Sequence, residues 1–159
     1  MEIAYVGLGS NQGDRRATIQ RAVDQLSALA HVTLLQCSNL QETAPVGGPP
    51  QGSYLNGVAK IQTSLTAEAL LTQLLEIETQ LGRVRTGLVR WSPRPIDLDL
   101  LFYGNLICQS STLTLPHPRL TERLFVLEPL AKLAPQLIHP TEKQTIQALL
   151  EKLQSQALV

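Results

Sequence analysis

Arg90-Trp91-Ser92-Pro93-Arg94-Pro95-Ile96-Asp97-Leu98-Asp99-Leu100-Leu101-Phe102-Tyr103-Gly104 joins an arginine-bearing, proline-stiffened segment to an apolar strand that carries two acids. From Ile96 to Tyr103 six of eight residues are apolar and two are carboxylates two positions apart, so a strand's period of two aims both acids at one face. A rise of about 3.3 Å per residue separates them by roughly 6.6 Å, which can flank one cation or a close pair. Acids on the solvent face of an edge strand account for most such pairs. Here the apolar neighbours Ile96, Leu98, Leu100, Leu101 and Phe102 argue for a central strand. Uncompensated like charges are costly in such a place, so a positive partner is expected beside them.

Charge outside the strand fits that expectation. The chain of 159 residues carries 13 basic and 13 acidic side chains, so no overall basic field draws it onto nucleic acid or an anionic membrane. Yet four of the nine arginines, Arg83, Arg85, Arg90 and Arg94, fall within twelve residues that contain no acid, directly before the Asp97/Asp99 strand. A compact polyanion such as a nucleoside triphosphate suits this pattern better than a long polymer. With 43% hydrophobic residues the chain is expected to form one domain over residues 1–159, burying about 70% of its unfolded surface. Cys37 and Cys108 are far apart and outside any Cys-x-x-Cys spacing, which suggests two reduced thiols in a cytosolic protein. The start, Met1 to Gly7, is too short and too acidic for a signal peptide, and no apolar run approaches about 20 residues. A soluble cytoplasmic protein without a fused downstream enzyme is expected.

Read along the chain, Ile3 to Leu8 is a buried first strand, and Gly7 to Gly13 a turn after it. Ile19, Ala22, Val23, Leu26 and Leu29 recur at helical spacing behind a plausible cap at Asp14. Val32 to Cys37 is the next strand, and the prolines and glycines from Thr43 to Gly52 mark a loop of unusual length. Tyr54 to Thr63 alternates, with Tyr54, Asn56 and Val58 on one face and Leu55, Gly57, Ala59 and Ile61 on the other. A second helix is capped by Thr66, turns Leu70, Leu71, Leu74, Ile77, Glu78 and Leu81 inward, and stops at Gly82. After the Asp strand come short strands at Leu106 to Cys108 and Thr112 to Leu115. Two more helices follow, about Leu120 to Leu133, interrupted at Pro129, and about Thr145 to Leu158. The order strand, helix, strand, strand, helix, strand predicts an α+β fold of ferredoxin-like, split βαβ topology: a mainly antiparallel sheet with helices packed on it and added C-terminal helices.

Other candidate motifs are less specific. Glycines at 7, 9 and 13 miss a dinucleotide fingerprint by one residue, and no Gly-x-x-x-x-Gly-Lys-Ser/Thr loop exists. Any nucleotide must then be held by side chains and metal. His117, between Pro116 and Pro118, is either a group presented in one orientation or a plain turn histidine; His31 and His139 have weaker claims. Trp91 could cover a ligand or anchor its loop. Tyr54, Asn56 and Phe125 could read a heterocycle or pack the core.

The segment Arg90 to Leu101 closely resembles the signature of 6-hydroxymethyl-7,8-dihydropterin pyrophosphokinases, the HPPK family of folate biosynthesis. Further pieces stand in the family's order: Gly9-Ser10-Asn11, Thr43-Ala44-Pro45, Tyr54-Leu55-Asn56, Gly82-Arg83-Val84-Arg85, Pro116-His117-Pro118-Arg119 and Glu122-Arg123-Leu124-Phe125-Val126-Leu127. The resemblance implies transfer of the β,γ-pyrophosphoryl group of ATP to the pterin's hydroxymethyl oxygen, releasing AMP. By the same resemblance, Asp97 and Asp99 would ligate two Mg2+ ions, and Arg83 and Arg94 would join them in catalysis. Glu78, Arg85, Trp91, Arg94, Leu100, His117 and Arg123 would contact ATP. Thr43, Ala44, Pro45, Val46, Tyr54, Asn56 and Phe125 would hold the pterin, Tyr54 and Phe125 by stacking. A monomer is expected.

Departures from the family pattern are Ser92 and Pro95, in place of the commonest glycine and threonine, Thr112 where some members are basic, and Pro118 where some carry tyrosine. They bear on affinity more than on activity. No dedicated general base stands out; Asp97 or metal activation of the hydroxyl would serve. The alternatives are another Mg2+-dependent nucleotide phosphotransferase or hydrolase using the same acids, and a non-catalytic ferredoxin-like ligand-binding module.

Overall fold

A computed structural model describes residues 1–43, 53–82 and 95–157. Strands β1 (Glu2–Ser10), β2 (Val32–Cys37), β3 (Gln41–Thr43), β4 (Tyr54–Thr63) and β5 (Asp97–Tyr103) form one antiparallel sheet in the order β2-β4-β1-β5, with β3 also paired to β4. Helices α1 (Arg15–Ala28) and α2 (Ala67–Gln80) cover one face. Helices α3 (Leu124–Leu133) and α4 (Ile146–Ala157) pack on the other, and a short hairpin of β6 (Cys108–Gln109) and β7 (Thr114–Leu115) stands beside β5. This is the expected ferredoxin-like α+β arrangement with C-terminal helices added.

Local chemistry starts and stops the first two helices where the sequence indicates. The Asp14 carboxylate accepts from Ala17 N at 3.2 Å, and Thr66 Oγ1 accepts from Ala69 N at 3.1 Å, each satisfying an amide that a helix start leaves open. Gly82, at φ 99°, takes the left-handed turn that ends α2. The inward stripes, Ile19, Ala22 and Leu26 of α1 and Leu70, Leu74 and Ile77 of α2, bury against Val6, Leu8, Ala59, Ile61, Leu98 and Leu100. At about 1.5–3 kcal/mol per fully buried side chain, this layer supplies most of the driving force.

The opposite face is divided. Tyr5, Val58, Leu101 and Phe102 meet α3 and α4 in a second, smaller core. A bulge between Tyr5 and Val6 sets Tyr5 against Phe102 and Val6 against Leu100, which leaves Leu101 as the extra residue and lets it and Phe102 both serve this core. Farther along, the face carries Gly7, Gly9, Asn56, Asp97 and Asp99 and lies open.

Five expectations require correction. β1 runs through Gly7 to Ser10 instead of turning there, because β4 and β5 pair with it on both sides to its end. The Asp strand is the outermost strand beside β1, not a central one; it reads as apolar because Leu98 and Leu100 bury on the α1–α2 side while Leu101 and Phe102 bury in the second core. Its outward edge is closed by side groups: Leu98 N donates to Glu78 Oε2 (2.7 Å) and His117 N donates to Leu101 O (3.0 Å). Thr43 belongs to the short strand β3, not to a loop. The helical break falls at Arg123, whose extended backbone (φ −120°, ψ 103°) separates a 3-10 turn, Leu120–Glu122, from α3. Pro129 stays inside α3, buried, its packing outweighing one missing helical hydrogen bond. The last two short strands also begin later than expected, at Cys108 and Thr114.

Candidate active site

Two cavities meet at the Asp pair. The first, about 370 Å3, is lined by Thr43, Tyr54 and Asn56 on one side, by His117, Arg123 and Phe125 on another, and by Gly7, Gly9, Asp97 and Asp99 on its floor. The second, about 390 Å3, lies between α2 and the β6–β7 hairpin, with Glu78, Leu100 and Ser110 to Thr114 in its walls. Asp97, Asp99 and His117 line both. The strand period thus aims the acids to one side as expected, and the chain places them where two separate ligands would touch.

The first cavity exists because of two glycines. Gly7 and Gly9 stand opposite Asp99 and Asp97 across the β1–β5 ladder. A Cβ on Gly9 would come within 3.0 Å of Asn56 Oδ1 and 3.8 Å of Asp97 Cβ. Side chains there would fill the floor. Beside it, Asn56 Nδ2 donates to Thr43 Oγ1 at 2.6 Å, which orients the amide; Thr43 pairs with Tyr54 across the β3–β4 ladder.

His117 is held by two contacts. Its backbone is tied to Leu101, and its Nδ1 accepts from Arg119 N at 3.3 Å. The neutral ring therefore carries its proton on Nε2. Its pKa is lowered to about 4, first by burial and then by the Arg123 cation, against an upward pull from Asp97, with Arg119 adding a smaller downward effect. At neutral pH it is an uncharged donor. The Arg123 guanidinium lies 5.5 Å from the centroid of the Phe125 ring, a cation–π distance. Arg119 and Arg123 line the same cavity as the two acids.

His139 lies outside both cavities. It is buried against Phe102, with Nδ1 accepting from Thr141 N and Glu142 N, and burial lowers its pKa too. In the unfolded chain both histidines protonate near 6.5. The unfolded state therefore binds more protons than the folded state as pH falls through 6.5 toward 4, and stability is lost in that window. Urea midpoints of the protein free of nucleotide and divalent cations should fall steadily from pH 7 to 5, and His117→Gln should flatten the slope. A pH-independent midpoint would show that neither ring is held neutral.

Of the expected site residues, the structure brings Thr43, Tyr54, Asn56, Asp97, Asp99, His117, Arg123 and Phe125 around the first cavity, and Glu78 and Leu100 into the second. Glu78, almost wholly buried, is engaged with Leu98 N as well as facing that cavity. Ala44, Pro45, Val46, Arg83, Arg85, Trp91 and Arg94 lie outside the described residues. Sequence reading quoted Arg119 and Glu122 of the first cavity only inside family motifs, without a role, and passed over Ser110 and Ser111 in the second. It took Gly7 and Gly9 for a turn, although two glycines on one face of an apolar strand were the available signal.

The family profile for 7,8-dihydro-6-hydroxymethylpterin-pyrophosphokinase (HPPK) matches residues 5–135. The chain is 40% identical over 155 residues to the 2-amino-4-hydroxy-6-hydroxymethyldihydropteridine pyrophosphokinase of Synechocystis, covering 98% of this chain and 78% of that one. It is 45% identical over 135 residues to the enzyme of that name from Bacillus subtilis, covering 85% and 80%. It is also 43% identical over 157 residues to the folic acid synthesis protein fol1 of Schizosaccharomyces pombe, covering 99% of this chain but 21% of that longer protein. Among solved structures, the wild-type HPPK-DHPS of Plasmodium falciparum with pteroate superposes with a TM-score of 0.77 at 15% identity, over 98% of this chain and 43% of that one. This likeness concerns the fold alone.

Proposed function

The chain belongs to the 7,8-dihydro-6-hydroxymethylpterin-pyrophosphokinase family, and on that premise we propose that its two cavities hold the two substrates of a pyrophosphoryl transfer from ATP to 6-hydroxymethyl-7,8-dihydropterin. The observation that carries this reading is the shared wall: Asp97, Asp99 and His117 face both cavities. A transfer between two bound molecules needs its charged groups at such a junction.

In this reading the pterin occupies the first cavity, its ring between Tyr54 and Phe125 and its edge read by Asn56. The amide is held in one orientation by Thr43, so it recognises a heterocycle without first reorganising. ATP lies in the second cavity, its phosphates reaching toward the Asp pair. The hydroxymethyl oxygen attacks the β-phosphorus, the bond from that phosphorus to the oxygen bridging it to the α-phosphorus breaks, and AMP leaves.

The donor set fits magnesium. Two carboxylates share one face, and among the described residues no cluster of three His, Cys, Asp or Glu exists, so the remaining coordination positions would fall to phosphate and water oxygens, as this ion prefers. Held by Asp97 and Asp99, two Mg2+ ions would offset phosphate charge and lower the pKa of the attacking hydroxyl. His117, neutral with its proton on Nε2, donates to a phosphate oxygen and does not act as base. The hydroxyl proton is then left to a carboxylate of the pair. Arg123 meets charge spreading over the transferred group, with Arg83 and Arg94 proposed in the same role and Arg85 and Trp91 proposed on the nucleotide. Ala44, Pro45 and Val46 are proposed to complete the pterin edge through backbone groups.

Product analysis tests the assignment. With ATP, Mg2+ and the dihydropterin, AMP should form in equal amount to pterin diphosphate, and neither should form without magnesium. ADP as product, or AMP formed equally well without pterin, would replace this reading with a different phosphotransferase or a nucleotide hydrolase.

A further inference from the structure

We propose that Arg15 is a positioning residue for the ring-binding wall of the first cavity, an inference that rests on the pyrophosphokinase reading. Arg15 opens α1 directly after its Asp14 cap. Its Nη1 donates to Ser53 O at 2.9 Å and lies 3.4 Å from Ser53 Oγ, while its Nη2 pairs with Glu42 Oε1. Glu42 precedes Thr43 in β3, and Ser53 precedes Tyr54 at the start of β4. One guanidinium therefore grips both strands next to the Thr43–Tyr54 pair, two wall residues of the cavity.

The ladder needs that grip. β3 has three residues and three pairings, and Ser38 to Leu40 separate it from β2 on the same edge of β4. Strand pairs this short are marginal without outside support. What they carry is exacting: Thr43 Oγ1 must stay 2.6 Å from Asn56 Nδ2 to aim the amide. Arginine's rigid fork reaches a carbonyl and a carboxylate together, whereas lysine offers a point charge that satisfies them less well.

Global stability should barely register the contact. The two side chains are 27% and 62% exposed, and ion pairs open to water contribute little to global stability. A loss of Arg15 should thus appear in one ligand's affinity and not in the melting temperature.

Calorimetric titration with Mg2+ and saturating α,β-methylene-ATP, inert at the bond that breaks, separates the outcomes. Arg15→Ala should weaken dihydropterin binding about tenfold, in line with loss of a charged hydrogen bond, with nucleotide affinity within about twofold and the melting temperature within about 2 °C. Arg15→Lys should recover part of the loss, and adding Glu42→Ala to Arg15→Ala should cost little more. Unchanged pterin affinity in Arg15→Ala, or equal weakening of both ligands with a fall in melting temperature, would overturn the positioning role. A wild-type protein that binds no dihydropterin would instead sink the functional reading beneath it.

Discussion

Asp97→Ala and Asp99→Ala should each lower turnover about a thousandfold or more, equivalent to at least about 4 kcal/mol of lost transition-state stabilisation. Both carboxylates line the open half of the sheet face and neither belongs to a core cluster, so far-UV circular dichroism and urea midpoints should stay near wild type. The conservative Asp→Asn changes keep shape and remove charge, and should be nearly as damaging if the acids act by holding cations. AMP release at saturating substrates measures the effect. Wild-type rates in both alanine variants would remove the metal assignment and favour a ligand-binding module that needs neither acid.

Gly9→Val should abolish pterin use while sparing ATP. The new Cβ would stand 3.0 Å from Asn56 Oδ1 and 3.9 Å from Tyr54 Cδ1, and the two methyl groups would extend into the space assigned to the ring. Valine suits a strand, so the sheet should form. A rise of about a hundredfold or more in pterin KM is expected, since the clash must be relieved by displacing Asn56 or the ligand. Nucleotide affinity should hold, because Gly9 does not line the second cavity. A Cβ on Gly7 would meet Leu101 Cδ2 at 3.5 Å, ordinary contact, so Gly7→Ala should weaken pterin binding less than Gly9→Val. Equal pterin affinity in Gly9→Val would move the ring elsewhere.

Much of the fold was legible where one physical signal dominated. Tyr54 to Thr63 alternates cleanly because one face meets α1 and α2 while the other meets the cavity and second core. Asp14, Thr66 and Gly82 marked helix ends through chemistry local to those ends. β3 was hidden because three residues are too few to show a period. Pro129 misled because tertiary packing overrides local propensity.

The site was legible in part for the same reason. The Asp pair announced itself through charge inside an apolar run. That Asp97 and Asp99 serve two cavities was not readable, because it depends on the hairpin tip at Ser110 to Thr114 standing across from Leu71, Leu75 and Glu78 of α2. Arg15 gave no signal either, as its partners are 27 and 38 residues away.

The closed outer edge of β5 reaches beyond chemistry. An intruding strand, from another copy or a misfolded neighbour, would need the backbone groups of Leu98 and Leu101 that Glu78 and His117 already occupy. Sheet extension on that side would have to dismantle the junction between the cavities first. The two residues that close the β5 edge, Glu78 and His117, thus also stand in the walls of the proposed site, so edge protection and site architecture rest on the same contacts.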